Sequence, residues 1–129
     1  MKYLIHTLLA VVSFVALTVA HAAETKPFDQ KTFDALQAAG KPVLIDVYAD
    51  WCPTCKQQAP ILSQLLNTPE FKDFTVLKVN FDTQKDVRQV LHGAQQSTFI
   101  CFRGKREVAR TVGDTGKDSI AATLRKASS

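Results

Sequence analysis

Pro42-Val43-Leu44-Ile45-Asp46-Val47-Tyr48-Ala49-Asp50-Trp51-Cys52-Pro53-Thr54-Cys55-Lys56 leads from an apolar run into two cysteines separated by two residues. Pro42 to Ala49 is rich in β-branched and apolar side chains and too short for an ordinary helix, so it predicts a buried strand. Beyond the cysteines, Lys56 to Leu66 puts Ala59, Leu62, Leu65 and Leu66 on one helical face, with Pro60 at a kink. The dithiol therefore stands where a strand ends and a helix begins, and thiol chemistry is the first expectation.

That placement has a chemical consequence. At a helix N-terminus, unpaired backbone N–H groups and the macrodipole favour a thiolate, and a cysteine pKa of about 8.5 falls to roughly 3.5 to 7.5 in such settings. Cys52 is thus the expected nucleophile. Cys55, three residues on, faces the same side of the first turn, near enough to close a small disulfide ring and too deep in the helix to be freely attacked, so it is the expected resolving thiol. A Cys-x-x-Cys is also half of many zinc sites, and it can be an inert structural disulfide. Zinc needs about four ligands, and Cys101, His92 and His21 form no second close pair, while His6 lies in the N-terminal segment, so no metal site is expected.

The run Leu44 to Lys56, followed by Ala59-Pro60-Ile61-Leu62, resembles the active-site segment of the thioredoxin family. The resemblance implies an α/β thioredoxin fold, a central mixed β-sheet flanked by helices. It sets Asp46, six residues before Cys52, at the place of the family's buried acid and Lys78 at that of the lysine partnering it. Pro60 matches the helix-kinking proline, and Gly113 the glycine after the last strand. Trp51, Pro53, Ser97 and Thr98 fall where the family meets its substrate. One departure stands out: the family carries a cis-proline before a threonine, whose backbone pairs with substrate, and here Ser97 precedes Thr98. A cis bond before a non-proline residue costs about 2.5 to 4 kcal/mol. Either the Gln96-Ser97 bond is cis, or it is trans and the loop is reshaped; the Ser97 hydroxyl is also available to a thiolate.

The 129 residues are 46% hydrophobic, enough for one domain with a substantial core. A net charge of +4 is spread over interspersed acids and bases without a basic stripe, which excludes a nucleic-acid partner. Three cysteines suit a redox pair plus one spare thiol better than a disulfide scaffold. Met1 to Ala22, with its single charge at Lys2, apolar run from Leu8 to Ala20 and Ala20-His21-Ala22, predicts a signal peptide over residues 1–22. Residues 23–129 then form the thioredoxin-like domain. An uncleaved inner-membrane anchor is the rival reading. Export from a bacterium means the periplasm, where a reducing dithiol needs electrons from outside.

Along the chain, Ala23 to Pro27 reads as a short polar lead, and Asp29 to Ala39 as a helix capped by Asp29 and stopped by Gly40. Thr75 to Phe81 predicts a strand, and Thr83 to Leu91 a helix burying Val87, Val90 and Leu91, with His92 capping its last turn. Gln95 to Phe102 and Glu107 to Val112 predict two strands joined at Arg103-Gly104-Lys105. Asp118 to Lys126 predicts a helix burying Ile120, Ala121 and Leu124. Cys101, between Ile100 and Phe102, is expected to be a core thiol.

These residues predict a periplasmic thiol-disulfide oxidoreductase acting on disulfide-containing protein substrates, monomeric and without a small-molecule cofactor. Asp46, as a carboxylate buried under the site, is the expected proton acceptor for Cys55. Pro53-Thr54 resembles reductive relatives, whereas strongly oxidising ones place a histidine between the cysteines, so a reductase supplied by a membrane thiol carrier is expected. Two other classes stay open: a non-catalytic peptide-binding module using the Ser97 loop, and a dithiol protein handling Cu(I).

Overall fold

The computed structural model describes residues 22–128, so all of the expected signal peptide but Ala22 lies outside the described residues. The chain folds as β1 (Glu24–Pro27), α1 (Gln30–Ala38), β2 (Pro42–Tyr48), α2 (Pro53–Leu66), a 3₁₀ turn (Pro69–Phe71), β3 (Thr75–Asn80), α3 (Lys85–Val90), β4 (Thr98–Arg103), β5 (Arg106–Val112) and α4 (Lys117–Ser128). One sheet has the order β1-β3-β2-β4-β5. β1, β3 and β2 are parallel, and β4 and β5 follow antiparallel. This is the expected mixed sheet flanked by helices.

β2 lies in the middle of the sheet, covered on both faces, which is why it is a nearly continuous apolar run. Its side chains alternate between two cores. Leu44 joins Leu62, Leu65, Phe71, Phe74, Phe99, Ile120 and Leu124 under α2 and α4. Val43, Ile45 and Val47 join Phe28, Phe33, Leu77, Leu91 and Ile100 on the opposite face. Asp46 and Tyr48 share the parity of Leu44, so they point to the α2 side, where the cysteines are.

Four expectations are corrected. Ala23 to Pro27 contains a strand: β1 pairs Glu24 with Thr75 and Pro27 with Lys78, and all four of its residues are exposed, so no apolar alternation marks it. On α2 Ala59 is exposed and Gln58 is buried, because the face meeting the sheet runs through Gln58, Leu62 and Leu65 at helical spacing. Val90 is 68% exposed, since α3 spans only Lys85–Val90 and Leu91 just beyond it fills the core. β4 begins at Thr98 and leaves Gln95 to Ser97 as a loop. The Asp29 cap holds: its carboxylate accepts from the Thr32 amide at 2.8 Å.

Candidate active site

Cys52 occupies the N-cap of α2, with Pro53 in the first turn, where its missing N–H costs nothing. The backbone leaves β2 through Ala49, whose carbonyl accepts from Cys52 N at 3.1 Å. Cys52 and Cys55 are joined as a disulfide, their Cα atoms 5.3 Å apart. Cys52 Sγ accepts from the Cys55 amide at 3.1 Å, so the sulfur satisfies one of the helix's orphan donors in place of an oxygen cap. An amide aimed at a sulfur favours its thiolate form once the bond is reduced.

Exposure departs from the expected order. Cys52 is only 3% exposed, whereas Cys55 is partly exposed. The cap geometry turns Cys52 onto the first turn, while Cys55 opens on a cavity of about 200 Å³ lined by Asp46, Tyr48, Lys56, Ala59 and Lys78 among others. Asp46 also borders a neighbouring cavity of about 250 Å³ that reaches Thr25, Leu62 and Val76. Burial pushes the Asp46 carboxyl up to about 6, with the Lys78 charge pulling the other way. Lys78 is its register partner across β2 and β3, with Nζ 4.1 Å from the centre of the Tyr48 ring. The expected acid, lysine and resolving thiol thus line one cavity.

Trp51 is 55% exposed beside the disulfide. Its Nε1 donates to Asp82 Oδ2 at 2.9 Å, and its ring stands edge-on to Phe81 at 6.1 Å. Asp82 is held in turn by its own amide, which donates to Asn80 Oδ1 at 2.9 Å. Sequence reasoning passed over Asp82, and only its place just after β3, in line with the end of β2, would have marked it. Pro53 is exposed at the helix start.

The Gln96-Ser97 bond is trans, and Ser97 adopts φ +58, a left-handed backbone that costs a residue with a Cβ on the order of 1 kcal/mol or more. The reshaped loop is therefore the alternative realised. The Ser97 hydroxyl donates to Gln96 O at 2.6 Å, so its one proton is engaged there. Its carbonyl accepts from Gly113 N at 2.8 Å and Gln58 Nε2 at 3.2 Å. Thr98 is enclosed at 1% exposure, paired with Val47 and Val112. Gln58 too escaped the sequence reading, although its spacing from Leu62 and Leu65 puts a polar side chain on the buried face. His92 takes φ +58 and its amide donates to Gln89 O, ending α3 through its backbone. Cys101 is fully buried in the core, and burial pushes its thiol up to about 12.

A family model described as thioredoxin matches residues 23–126. Thioredoxin from Mycobacterium tuberculosis strain H37Rv is 35% identical over 103 residues, covering 80% of this chain and 88% of that protein. The crystal structure of Trxlp from Edwardsiella tarda superposes with a TM-score of 0.76 at 44% identity, covering 78% of this chain and 98% of that one. Malassezia sympodialis thioredoxin, at 23% identity and a TM-score of 0.71 over 84% of this chain and 95% of its own, shares the fold.

Proposed function

The chain belongs to the thioredoxin family and is a thiol-disulfide oxidoreductase, and from that premise we propose that it reduces protein disulfides in the periplasm, drawing electrons from a membrane thiol carrier. Although Cys52 is only 3% exposed in the disulfide form, its sulfur is the one at the helix N-cap that accepts from the Cys55 amide, so Cys52 supplies the attacking thiolate. That thiolate attacks one sulfur of a substrate disulfide, the substrate S–S bond breaks, and the departing sulfur leaves as thiolate and takes up a proton. Asp46 accepts the proton of Cys55, whose sulfur attacks Cys52 in the mixed disulfide. The Cys52–Cys55 bond closes, the substrate leaves with two thiols, and two electrons have passed to it.

The observation that carries the direction is the cavity joining Cys55 to Asp46. An enzyme that must close its own disulfide gains from a base beside the resolving thiol, and a carboxyl titrating at about 6 is ionised at neutral pH yet basic enough to serve. A strong oxidant gains instead from extra stabilisation of the Cys52 thiolate, and Pro53-Thr54 offers no cation for that. Export rests on residues 1–22, with their apolar run and Ala20-His21-Ala22. The reduction potential of the pair, equilibrated against glutathione and followed by Trp51 fluorescence, tests the direction. A value near −270 mV, about that of thioredoxins as a class, supports a reductase, and one near about −120 mV makes the protein an oxidant.

A further inference from the structure

Gln58 is buried to 2% exposure on the face of α2 that meets the sheet. An apolar side chain of like size would fill that place without the desolvation cost of an amide. What the glutamine adds is two hydrogen bonds: Nε2 donates to Asp114 O at 2.9 Å and to Ser97 O at 3.2 Å, while its Oε1 is buried without a partner. The two carbonyls belong to loops far apart in sequence, one before β4 and one after β5. Both lie at the sheet end where β2 delivers the cysteines, since Thr98 pairs with Val47 on one side and Val112 on the other.

Ser97 holds a left-handed backbone without the freedom of glycine. Its own hydroxyl goes to Gln96 O. What fixes its peptide is the pair of donors on its carbonyl, Gly113 N and Gln58 Nε2. We propose that Gln58 is a positioning residue for substrate choice: by clamping Ser97 and Asp114 it sets the loop against which an extended polypeptide aligns next to Cys52. Small disulfides, which need no such strand partner, do not depend on it. This rests on the reading of the chain as a reductase of protein disulfides.

Gln58→Met keeps length and volume and removes the clamp, and dithiothreitol-driven turnover of insulin is compared with the rate at which the pre-reduced protein, separated from dithiothreitol, reduces 5,5′-dithiobis(2-nitrobenzoate). KM for insulin should rise about tenfold with kcat and the reduction potential little changed, and turnover of the small disulfide should change by less than about twofold. An unchanged insulin KM, or equal losses on both substrates, would overturn the proposal. If Gln58→Met does not fold, the wild-type side-chain amide decides: by NMR, Gln58 Nε2 protons should exchange about a hundredfold more slowly than those of exposed Gln57. They should also shift when Cys52 of a Cys55→Ser chain forms a mixed disulfide with a cysteine peptide. Exchange at the Gln57 rate, or no shift, would refute the clamp. If the wild-type protein reduces neither disulfide, the reductase reading falls, and the amide measurements still judge Gln58.

Discussion

An aspartate between Ile45 and Val47, in a strand covered on both faces, destabilises the fold whenever it is ionised. The unfolded chain releases this proton near 3.8 and the folded chain near 6. Between those values the folded state binds more protons, so stability falls as pH rises from about 4 to about 6 and then levels off. Asp46→Asn does not titrate. It should match the wild-type protein below about pH 4 and exceed it by about 3 kcal/mol well above pH 6, seen as a higher urea midpoint at pH 8 and an equal one at pH 4. The same variant should close the Cys52–Cys55 bond at least tenfold or so more slowly at pH 7, measured as decay of the mixed disulfide. In the wild-type protein that rate should climb through about pH 6. Cys101 makes a contrasting case. With its thiol near 12, only about one molecule in ten thousand is thiolate at pH 8, so iodoacetamide should leave the oxidised native protein unlabelled and modify one thiol after unfolding. Cys101→Ser should keep the reduction potential while losing about 1 to 3 kcal/mol of stability by burying a hydroxyl.

At the scale of the elements, tight turns are where single residues decide. β4 and β5 are joined by Gly104 and Lys105, with Gly104 at φ +58 and its amide 3.4 Å from Lys41 O. An added Cβ would meet Gln37 O at 3.5 Å, an ordinary contact, so the cost of Gly104→Ala is conformational. It should lower stability by about 1 to 2 kcal/mol in urea titrations, and Gly104→Asn by less, because asparagine tolerates the left-handed region. Such turn glycines, the buried run of β2 and the apolar stripe of α4 were legible in the sequence because each rests on local pattern: a short β-branched run, or Ile120, Ala121 and Leu124 at helical spacing. The Cys-x-x-Cys at a strand-to-helix junction was legible for the same reason. β1 was not, because an exposed edge strand carries no alternation and exists through its bonds to β3. Nor was Gln58, since residue type says exposed and only the phase of α2 says buried. The left-handed Ser97 and the reversed exposure of the two cysteines depend on loops that meet only in the folded chain.

For the molecule as a whole, β1 has a consequence out of proportion to its four residues. It closes one edge of the sheet, taking up the exposed side of β3, and Thr25 helps wall the cavity that contains Asp46 and Lys78. Ala23, just before it, packs against the core beneath α2 and α4. A chain starting at Ala23 keeps both this contact and the whole of β1, and is the reference against which a shorter one is measured. A chain starting at Phe28 loses the β1–β3 ladder, including the bond from Glu24 N to Phe74 O. At about 0.5 to 1.5 kcal/mol per hydrogen bond, the loss should reach roughly 2 kcal/mol or more, and the bare β3 edge should promote association. Opening that wall also admits water to Asp46. Since burial is what raises this carboxyl, its titration should move from about 6 toward 3.8. The pH at which the mixed disulfide begins to resolve should fall with it. Carboxyl titration by NMR in the two chains reads this directly. An unchanged Asp46 titration in the shortened chain would mean that α2 and Lys78 alone keep the acid dry, and that β1 protects only the edge of the sheet.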